Sequence, residues 1–121
     1  MARILIVDDD PAMLKLWSAM LGVSGYETRT ASDADCAYQE LIAEQTPAML
    51  ITDVQMPGLT DGAMLAQVAA QSWPKMPIIV MSGNVEPREG ELPNGAVFMR
   101  KPVRTAELLR KVELMLAHSR R

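Results

Sequence analysis

The chain has 121 residues, of which 49% are hydrophobic and 22% are charged, and its formal net charge is −3. This length suits a single hydrophobic core, and the balance of apolar and charged residues excludes an intrinsically disordered chain. The mild negative charge provides no general attraction to nucleic acid or to anionic lipid, so we expect neither direct nucleic-acid binding nor membrane binding.

The first part of the chain alternates predicted strands and amphipathic helices. Residues 4–7 form a continuous apolar run, which predicts a strand buried on both faces. Asp10 and Pro11 then predict a helix start, because aspartate caps helices and proline suits their first turn. A short strand is predicted over residues 26–30, and Ser32 is the predicted N-cap of a second helix. The predicted apolar faces comprise Met13, Leu14, Trp17, Met20 and Leu21 in the first helix and Ala34, Ala37, Tyr38, Leu41 and Ile42 in the second.

The second part of the chain continues the same alternation. Apolar runs at residues 49–51, 78–81 and 96–99 predict three more strands. Helices are predicted over about residues 61–72 and 105–118. Their predicted inward-facing residues are Met64, Leu65 and Val68 in the earlier helix and Leu108, Leu109, Val112, Met115 and Leu116 in the later one.

Strands that are apolar throughout, alternating with helices, predict a parallel sheet with right-handed crossovers. We therefore expect one domain over residues 1–121 with a three-layer α/β fold, a doubly wound sheet of five parallel strands flanked by helices. Ligands of such folds bind outside the carboxyl ends of the strands. One segment interrupts the alternation, because residues 83–95 contain two prolines and three glycines where a helix is expected. The fourth helix is therefore predicted to be short, irregular or replaced by a mobile loop.

Polar residues that can carry chemistry follow four of the predicted strands. They are Asp8, Asp9 and Asp10 after the first strand, Asp53 after the third, Ser82 after the fourth, and Lys101-Pro102 after the fifth. Two carboxylates about 4 Å apart repel by roughly 4 kcal/mol at an effective dielectric constant near 20, so such a cluster needs a cation, a proton or a nearby lysine. Oxygen ligands with room for water suit Mg²⁺, and a lysine and a hydroxyl beside the ion would complete a cradle for a phosphoryl group. A carboxylate between the ion and the lysine is placed to act as the nucleophile.

These motifs resemble the receiver domain of two-component signalling, and the resemblance extends over the whole chain. The pair Asp8-Asp9, the loop of residues 53–58 (Asp-Val-Gln-Met-Pro-Gly), Ser82 and Lys101-Pro102 match the family's site motifs in order. The resemblance implies a CheY-like, flavodoxin-like fold with strand order 2-1-3-4-5. It also implies a phosphorylation-activated switch that is not an enzyme, although it hydrolyses its own phosphoryl group.

The resemblance also implies a role for each site residue. Asp53 is expected to accept the phosphoryl group, and Lys101 and Ser82 to bind its oxygens. The expected Mg²⁺ ligands are Asp9, Asp53 and the backbone carbonyl of Gln55, with Asp8 acting through a bound water. Ser82 and Phe98 are the expected switch residues, Gln55 and Asn84 are expected to tune hydrolysis, and the peptide bond between Lys101 and Pro102 is expected to be cis. Asp10 is assigned to helix capping.

The sequence departs from the family pattern in the lengths of two segments. The loop over residues 56–62 is longer than is usual in the family, and the interval from Ser82 to Lys101 is shorter. The second departure covers the irregular fourth helix, so we expect an unusual output surface.

Three alternatives can be weighed from the residues. A haloacid-dehalogenase-like phosphatase also uses an aspartyl phosphate and Mg²⁺, but Ala12 stands where that family places a hydroxyl, and 121 residues leave little room for a cap. A degenerate receiver acting only as an interaction module has normally lost an acid or the lysine, and this chain has both. A dinucleotide-binding domain needs a glycine fingerprint after its first strand, which this chain lacks.

The expected partners are a histidine kinase or a histidine phosphotransfer domain as phosphodonor, and a downstream target protein that the sequence does not identify. Cys36 is the one cysteine, so no internal disulfide is possible and a reducing compartment fits. The apolar run near the N-terminus is too short for a signal peptide, so we expect a cytoplasmic protein.

Overall fold

A computed structural model of the protein describes residues 2–43, 46–54, 62–83 and 92–119. Strands and helices alternate along these residues, as the apolar runs predict. The elements in chain order are β1 (Arg3–Val7), α1 (Pro11–Val23), β2 (Glu27–Ala31), α2 (Ala34–Leu41), β3 (Met49–Asp53), α3 (Gly62–Ser72), β4 (Ile78–Ser82), β5 (Val97–Arg100) and α4 (Thr105–Ser119).

The five strands form one sheet in the order β2-β1-β3-β4-β5, and every neighbouring pair is parallel. This arrangement confirms the predicted doubly wound α/β fold and its strand order. The described residues contain four helices. The predicted irregularity of a further helix falls mainly on residues 84–91, which lie outside the described residues.

Two hydrophobic clusters cover the two faces of the sheet. Because successive strand residues point to opposite faces, Leu5 and Val7 belong to one cluster and Ile4 and Ile6 to the other. The first cluster takes the buried side chains of α2 and α3, and the second takes those of α1 and α4. Strands β1, β3 and β4 are therefore buried on both faces, which explains why their sequences are apolar almost throughout.

The helix starts agree with the predictions at α1 and differ at α2. The Asp10 carboxylate accepts a hydrogen bond of 2.9 Å from the Ala12 amide, which confirms Asp10 as the α1 cap. The cap of α2 is Asp33 and not Ser32, because the Asp33 carboxylate accepts a 2.7 Å hydrogen bond from the Cys36 amide. Aspartate adjacent to serine offers an equally good capping oxygen, so the sequence alone does not separate the two.

Some residues predicted to face inward are exposed. Met64 is 53% exposed, and α3 instead packs through Leu65 and the small side chains Ala66 and Ala69. Tyr38 and Ile42 are also exposed. The buried residues of the short helix α2 are Ala34, Ala37 and Leu41. Within the described ranges, no helix combines the length and the apolar character that crossing a lipid bilayer requires.

Candidate functional site

The carboxyl ends of four strands bring the predicted polar residues to one edge of the sheet. Asp8 directly follows β1, Asp53 ends β3, Ser82 ends β4 and Lys101 directly follows β5. Parallel strands in register place these ends side by side, and the register pairs Asp53 with Met81 and Ser82 with Arg100. Asp8, Asp53 and Ser82 are all buried, with 1%, 7% and 2% of their surfaces exposed.

Three carboxylates converge at this edge. Asp8, Asp9 and Asp53 each offer one oxygen, and the three oxygens lie within 4.8 Å of one another. Asp9 is exposed while the other two are buried, so the cluster has one open side. Like charges at this separation repel by several kcal/mol in a partly buried site, at about 4 kcal/mol per pair at 4 Å and an effective dielectric constant of 20. The cluster therefore requires positive charge.

The Lys101 amine supplies part of that charge. Its Nζ atom lies 3.1 Å from Asp8 Oδ2 and 3.3 Å from Asp53 Oδ2. Burial of the amine by itself lowers the pKa of Lys101, but the hydrogen bond to Asp8 and the charges of Asp53 and Asp8 outweigh it, so the pKa lies above its usual value. The amine is thus held protonated between two carboxylates.

Backbone contacts hold Lys101 and Asp8 in place. The Lys101 amide donates a 2.9 Å hydrogen bond to the Ser82 carbonyl, and the peptide bond between Lys101 and Pro102 is cis. The second Asp8 oxygen, Oδ1, accepts a 3.0 Å hydrogen bond from the Asp10 amide. Because Asp10 in turn caps α1, the Asp8 carboxylate is fixed by the start of that helix on one side and by Lys101 on the other.

Gly62 determines how closely α3 approaches the end of β3. Its amide donates a 3.0 Å hydrogen bond to the Val54 carbonyl. A Cβ atom at this position would overlap the Asp53 carbonyl oxygen and would lie 2.6 Å from the Asp53 carbonyl carbon. The site residue Asp53 and the first residue of α3 are therefore in contact through their backbones. This role of Gly62 was not predicted, since a glycine at the start of a helix is weak evidence for a close approach.

Ser82 carries a buried hydroxyl without a hydrogen-bond partner in the part of the chain that the structure describes. Leaving such a group unsatisfied costs about 1–3 kcal/mol. The neighbouring hydroxyl, Thr52 Oγ1, is by contrast satisfied by the Asp53 carbonyl at 3.0 Å. Ser82 ends the strand next to the one that carries Asp53, so its hydroxyl is a buried donor that an oxygen entering the site can use.

Phe98 lies on β5, opposite Val80 in the register. It is neither fully buried nor exposed. Since Val97 and Met99 pack into the cluster beneath α1 and α4, Phe98 points to the other face of the sheet. The two remaining predicted site residues, Gln55 and Asn84, lie outside the described residues.

Replacing Lys101 tests how strongly the amine stabilises the carboxylates. Lys101→Gln leaves the buried Asp8 carboxylate without its cation, so in EDTA we expect the free energy of unfolding to fall by about 2 kcal/mol. Urea denaturation at pH 7 measures this loss, and Lys15→Gln, at an exposed lysine of α1, is expected to change stability by less than about 0.5 kcal/mol. Equal effects of the two substitutions would contradict the prediction.

The sign of the pH dependence follows from the raised pKa of Lys101. A lysine whose pKa is higher in the folded than in the unfolded protein stabilises the fold fully below its ordinary value of 10.5. That stabilisation is lost as the pH rises through the higher folded value. Titration of the Lys101 amine should therefore reduce the difference in free energy of unfolding between the wild type and Lys101→Gln only above pH 10.5.

Fold and site together define a domain of the flavodoxin-like α/β class, with an acidic cluster faced by a lysine. The chain belongs to the response regulator receiver domain family, whose model matches residues 4–113. It is accordingly a phosphorylation-activated signalling switch of the two-component type.

Two curated relatives illustrate the family. The chain is 36% identical over 110 residues to the nitrogen assimilation regulatory protein NtrX of Azorhizobium caulinodans, covering 88% of this chain and 24% of NtrX. It is 32% identical over 121 residues to the response regulator MprA of Mycobacterium leprae, covering 98% of this chain and 52% of MprA. The chain thus spans about a quarter of one relative and about half of the other.

Solved structures agree with the fold. A CheY-like response regulator receiver domain protein from Methanospirillum hungatei is 29% identical with a TM-score of 0.89, covering 99% of this chain and 97% of that one. The receiver domain of NtrX from Brucella abortus is 31% identical with a TM-score of 0.84, covering 94% of this chain and 98% of that one.

Proposed function

We propose that Asp53 is the residue that accepts the phosphoryl group, in a reaction that depends on Mg²⁺, and that the donor is a phosphohistidine. One observation carries the proposal: three carboxylates at the carboxyl ends of β1 and β3 each offer an oxygen within 4.8 Å of the others, and the Lys101 amine contacts two of these carboxylates at 3.1 and 3.3 Å. Asp53 is the member of the cluster that lies on the central strand β3 and faces the amine.

The donor set fits Mg²⁺. Three carboxylate oxygens are hard ligands, and the exposed position of Asp9 leaves room for the water molecules that Mg²⁺ retains. Asp9, Asp53 and the backbone carbonyl of Gln55 would hold the ion directly. Both oxygens of Asp8 already have protein partners, which supports a role through a bound water. When bound, the ion supplies positive charge that offsets the carboxylates and the incoming phosphoryl oxygens.

The transfer step requires a nucleophile and charge stabilisation. A carboxylate oxygen of Asp53 attacks phosphorus, the bond between phosphorus and the histidine nitrogen breaks, and its electron pair leaves with the imidazole. Lys101, held protonated, pairs with one phosphoryl oxygen. The Ser82 hydroxyl donates to another, which supplies the partner that this buried group lacks among the described residues.

Movement of Ser82 toward the phosphoryl group is the proposed start of the conformational change. Phe98, on the adjacent strand β5, is proposed to follow it by turning inward. Water then hydrolyses the acyl phosphate and resets the switch, with Gln55 and Asn84 tuning the rate. This self-dephosphorylation acts on the domain's own phosphoryl group, so we do not regard the protein as an enzyme.

The phosphodonor is proposed to be a histidine kinase or a histidine phosphotransfer domain. The one histidine of the chain, His118, lies at the end of α4, where its ring nitrogen Nδ1 contacts the Leu114 carbonyl at 3.2 Å. That position is remote from Asp53 in the fold, which supports a donor from another molecule. We further propose that residues 1–121 act as one receiver unit in the cytoplasm and control a downstream target protein.

Phosphorylation by a small donor tests the proposal. Acetyl phosphate with Mg²⁺ should add one phosphoryl group to the protein, measured by intact mass spectrometry, and EDTA should prevent the addition. Steady release of inorganic phosphate without a protein adduct, lost in Asp8→Asn but retained in Asp53→Asn, would instead indicate a phosphatase that uses the first strand. Absence of any adduct would indicate a module that acts only by interaction.

Mg²⁺ binding should also appear as stabilisation. A ligand that binds only the folded protein stabilises it by about 2.7 kcal/mol at a concentration of 100 times its Kd. We expect thermal unfolding to show a Tm that rises with Mg²⁺ concentration in the wild type and much less in Asp9→Asn, which removes an exposed ligand without breaking a buried contact. Asp10→Asn, which keeps a helix cap, is the matched control and should respond as the wild type does.

A further inference from the structure

A cavity of about 460 Å³ lies at the opposite end of the sheet from the carboxylate cluster. It lies between the C-terminal part of α3, the first residues of β4 and β5, and the C-terminal half of α4. We propose that this cavity binds a small amphipathic carboxylate, meaning an apolar chain that ends in one carboxylate group. The proposal does not depend on the phosphorylation chemistry, because the cavity shares no residue with the acidic site.

The floor of the cavity is apolar and connects to both core clusters. Ile78, the first residue of β4, is 3% exposed and belongs to the cluster beneath α2 and α3. Met76 packs against the same cluster, whereas Val97 and Met115 pack against the cluster beneath α1 and α4. The cavity therefore lies where the two clusters meet at the amino ends of the strands. Two methionines in its wall give it adaptable shape, since the thioether side chain fits irregular apolar ligands.

The ionisable side chains that line the cavity are of the basic types, and two of the three are lysines. Lys75, Lys111 and His118 line it, and no aspartate or glutamate does among the residues that the structure describes. In the same part of the chain, no carboxylate lies within ion-pairing distance of either lysine. Two lysines that have no anionic partner among the described residues thus border an apolar cavity, in a chain whose net charge is −3.

Size and charge together select the class of ligand. Pockets for small molecules measure roughly 300–1,000 Å³ and are mostly apolar with a few polar groups that fix orientation. An inorganic anion would make no contact with the apolar floor, and a neutral apolar molecule would form no ion pair with Lys75 or Lys111. A carboxylate at the rim with an apolar chain on the floor uses both features.

Decanoate is a suitable probe for the wild-type protein, in EDTA and without a phosphodonor. Titration followed by amide NMR should shift residues around Met76, Val97 and Leu114 and leave Asp53 and Ser82 unchanged. Lys111→Gln should weaken decanoate binding roughly fivefold, as expected for loss of one partly exposed ion pair. Decanol has the same apolar chain without the charge, and its weaker binding should not change in Lys111→Gln.

Lys15→Gln provides the matched control, because it removes an exposed lysine on α1 that does not line the cavity. The proposal is overturned if decanoate does not bind, if the shifted amides lie elsewhere, or if decanol binds as tightly as decanoate. It is also overturned if Lys15→Gln weakens decanoate binding as much as Lys111→Gln. None of these results would bear on phosphorylation of Asp53, since the experiment omits the phosphodonor and Mg²⁺.

Discussion

Asp53→Asn is expected to abolish phosphorylation by acetyl phosphate, with a loss of at least about a thousandfold in rate. The amide that replaces the carboxylate is a poor nucleophile. Strand β3 contains no second carboxylate that could replace Asp53 beside the Lys101 amine. Intact mass spectrometry over a time course measures the loss. The fold should be retained, because the substitution removes one of three mutually repelling carboxylates and keeps the shape of the side chain.

Asp10→Asn is the control that separates the cluster from its surroundings. Asp10 lies in the same loop as Asp8 and Asp9 but outside the three-carboxylate cluster, and its side chain caps α1. Asparagine caps a helix as well as aspartate does, so phosphorylation should stay within about twofold of the wild type. Retained phosphorylation of Asp53→Asn at the wild-type rate would show that another residue accepts the phosphoryl group.

Gly62→Ala should be among the most destabilising single substitutions in this chain. The added Cβ overlaps the Asp53 carbonyl oxygen and lies 2.9 Å from the Val54 Cα atom. These neighbours are backbone atoms of a buried strand end and cannot rotate away as a flexible side chain can. We expect a loss of at least about 3 kcal/mol in the free energy of unfolding, measured by urea denaturation, and weaker phosphorylation because Asp53 is displaced.

Gly22→Ala is the matched glycine substitution. Gly22 lies within α1, and a Cβ at this position meets nothing within 4 Å. Alanine is the better helix former, so this variant should gain up to about 1 kcal/mol. If Gly62→Ala were as stable as the wild type, the close contact between α3 and the end of β3 would have to be wrong.

The fold could be predicted because its signals are local. Buried strands such as β3 and β4 read as continuous apolar runs, and the alternation with helices leaves few possible topologies. The site could be predicted because parallel strands bring their carboxyl ends together, so Asp8, Asp53 and Lys101 meet although they are distant in sequence. Both the order of the strands and the residues of the site can thus be predicted from short sequence segments, namely the apolar runs and the polar residues that follow them.

The parts that could not be predicted depend on packing between elements. The exposed position of Met64 follows from which side of α3 faces the sheet, and small alanines rather than the larger methionine make that contact. The choice of Asp33 over Ser32 as a cap depends on one residue of register. The need for glycine at position 62 appears only when the end of β3 and the start of α3 are seen together.

The ion pair between Lys101 and Asp8 joins residues 93 positions apart in the chain. During synthesis, the first aspartates therefore leave the ribosome long before the amine that faces them, and β5 must dock on β4 before the pair can form. Until then the acidic cluster is present without its lysine. The proposed role of Lys101 therefore implies that competence to accept a phosphoryl group arises at the end of folding.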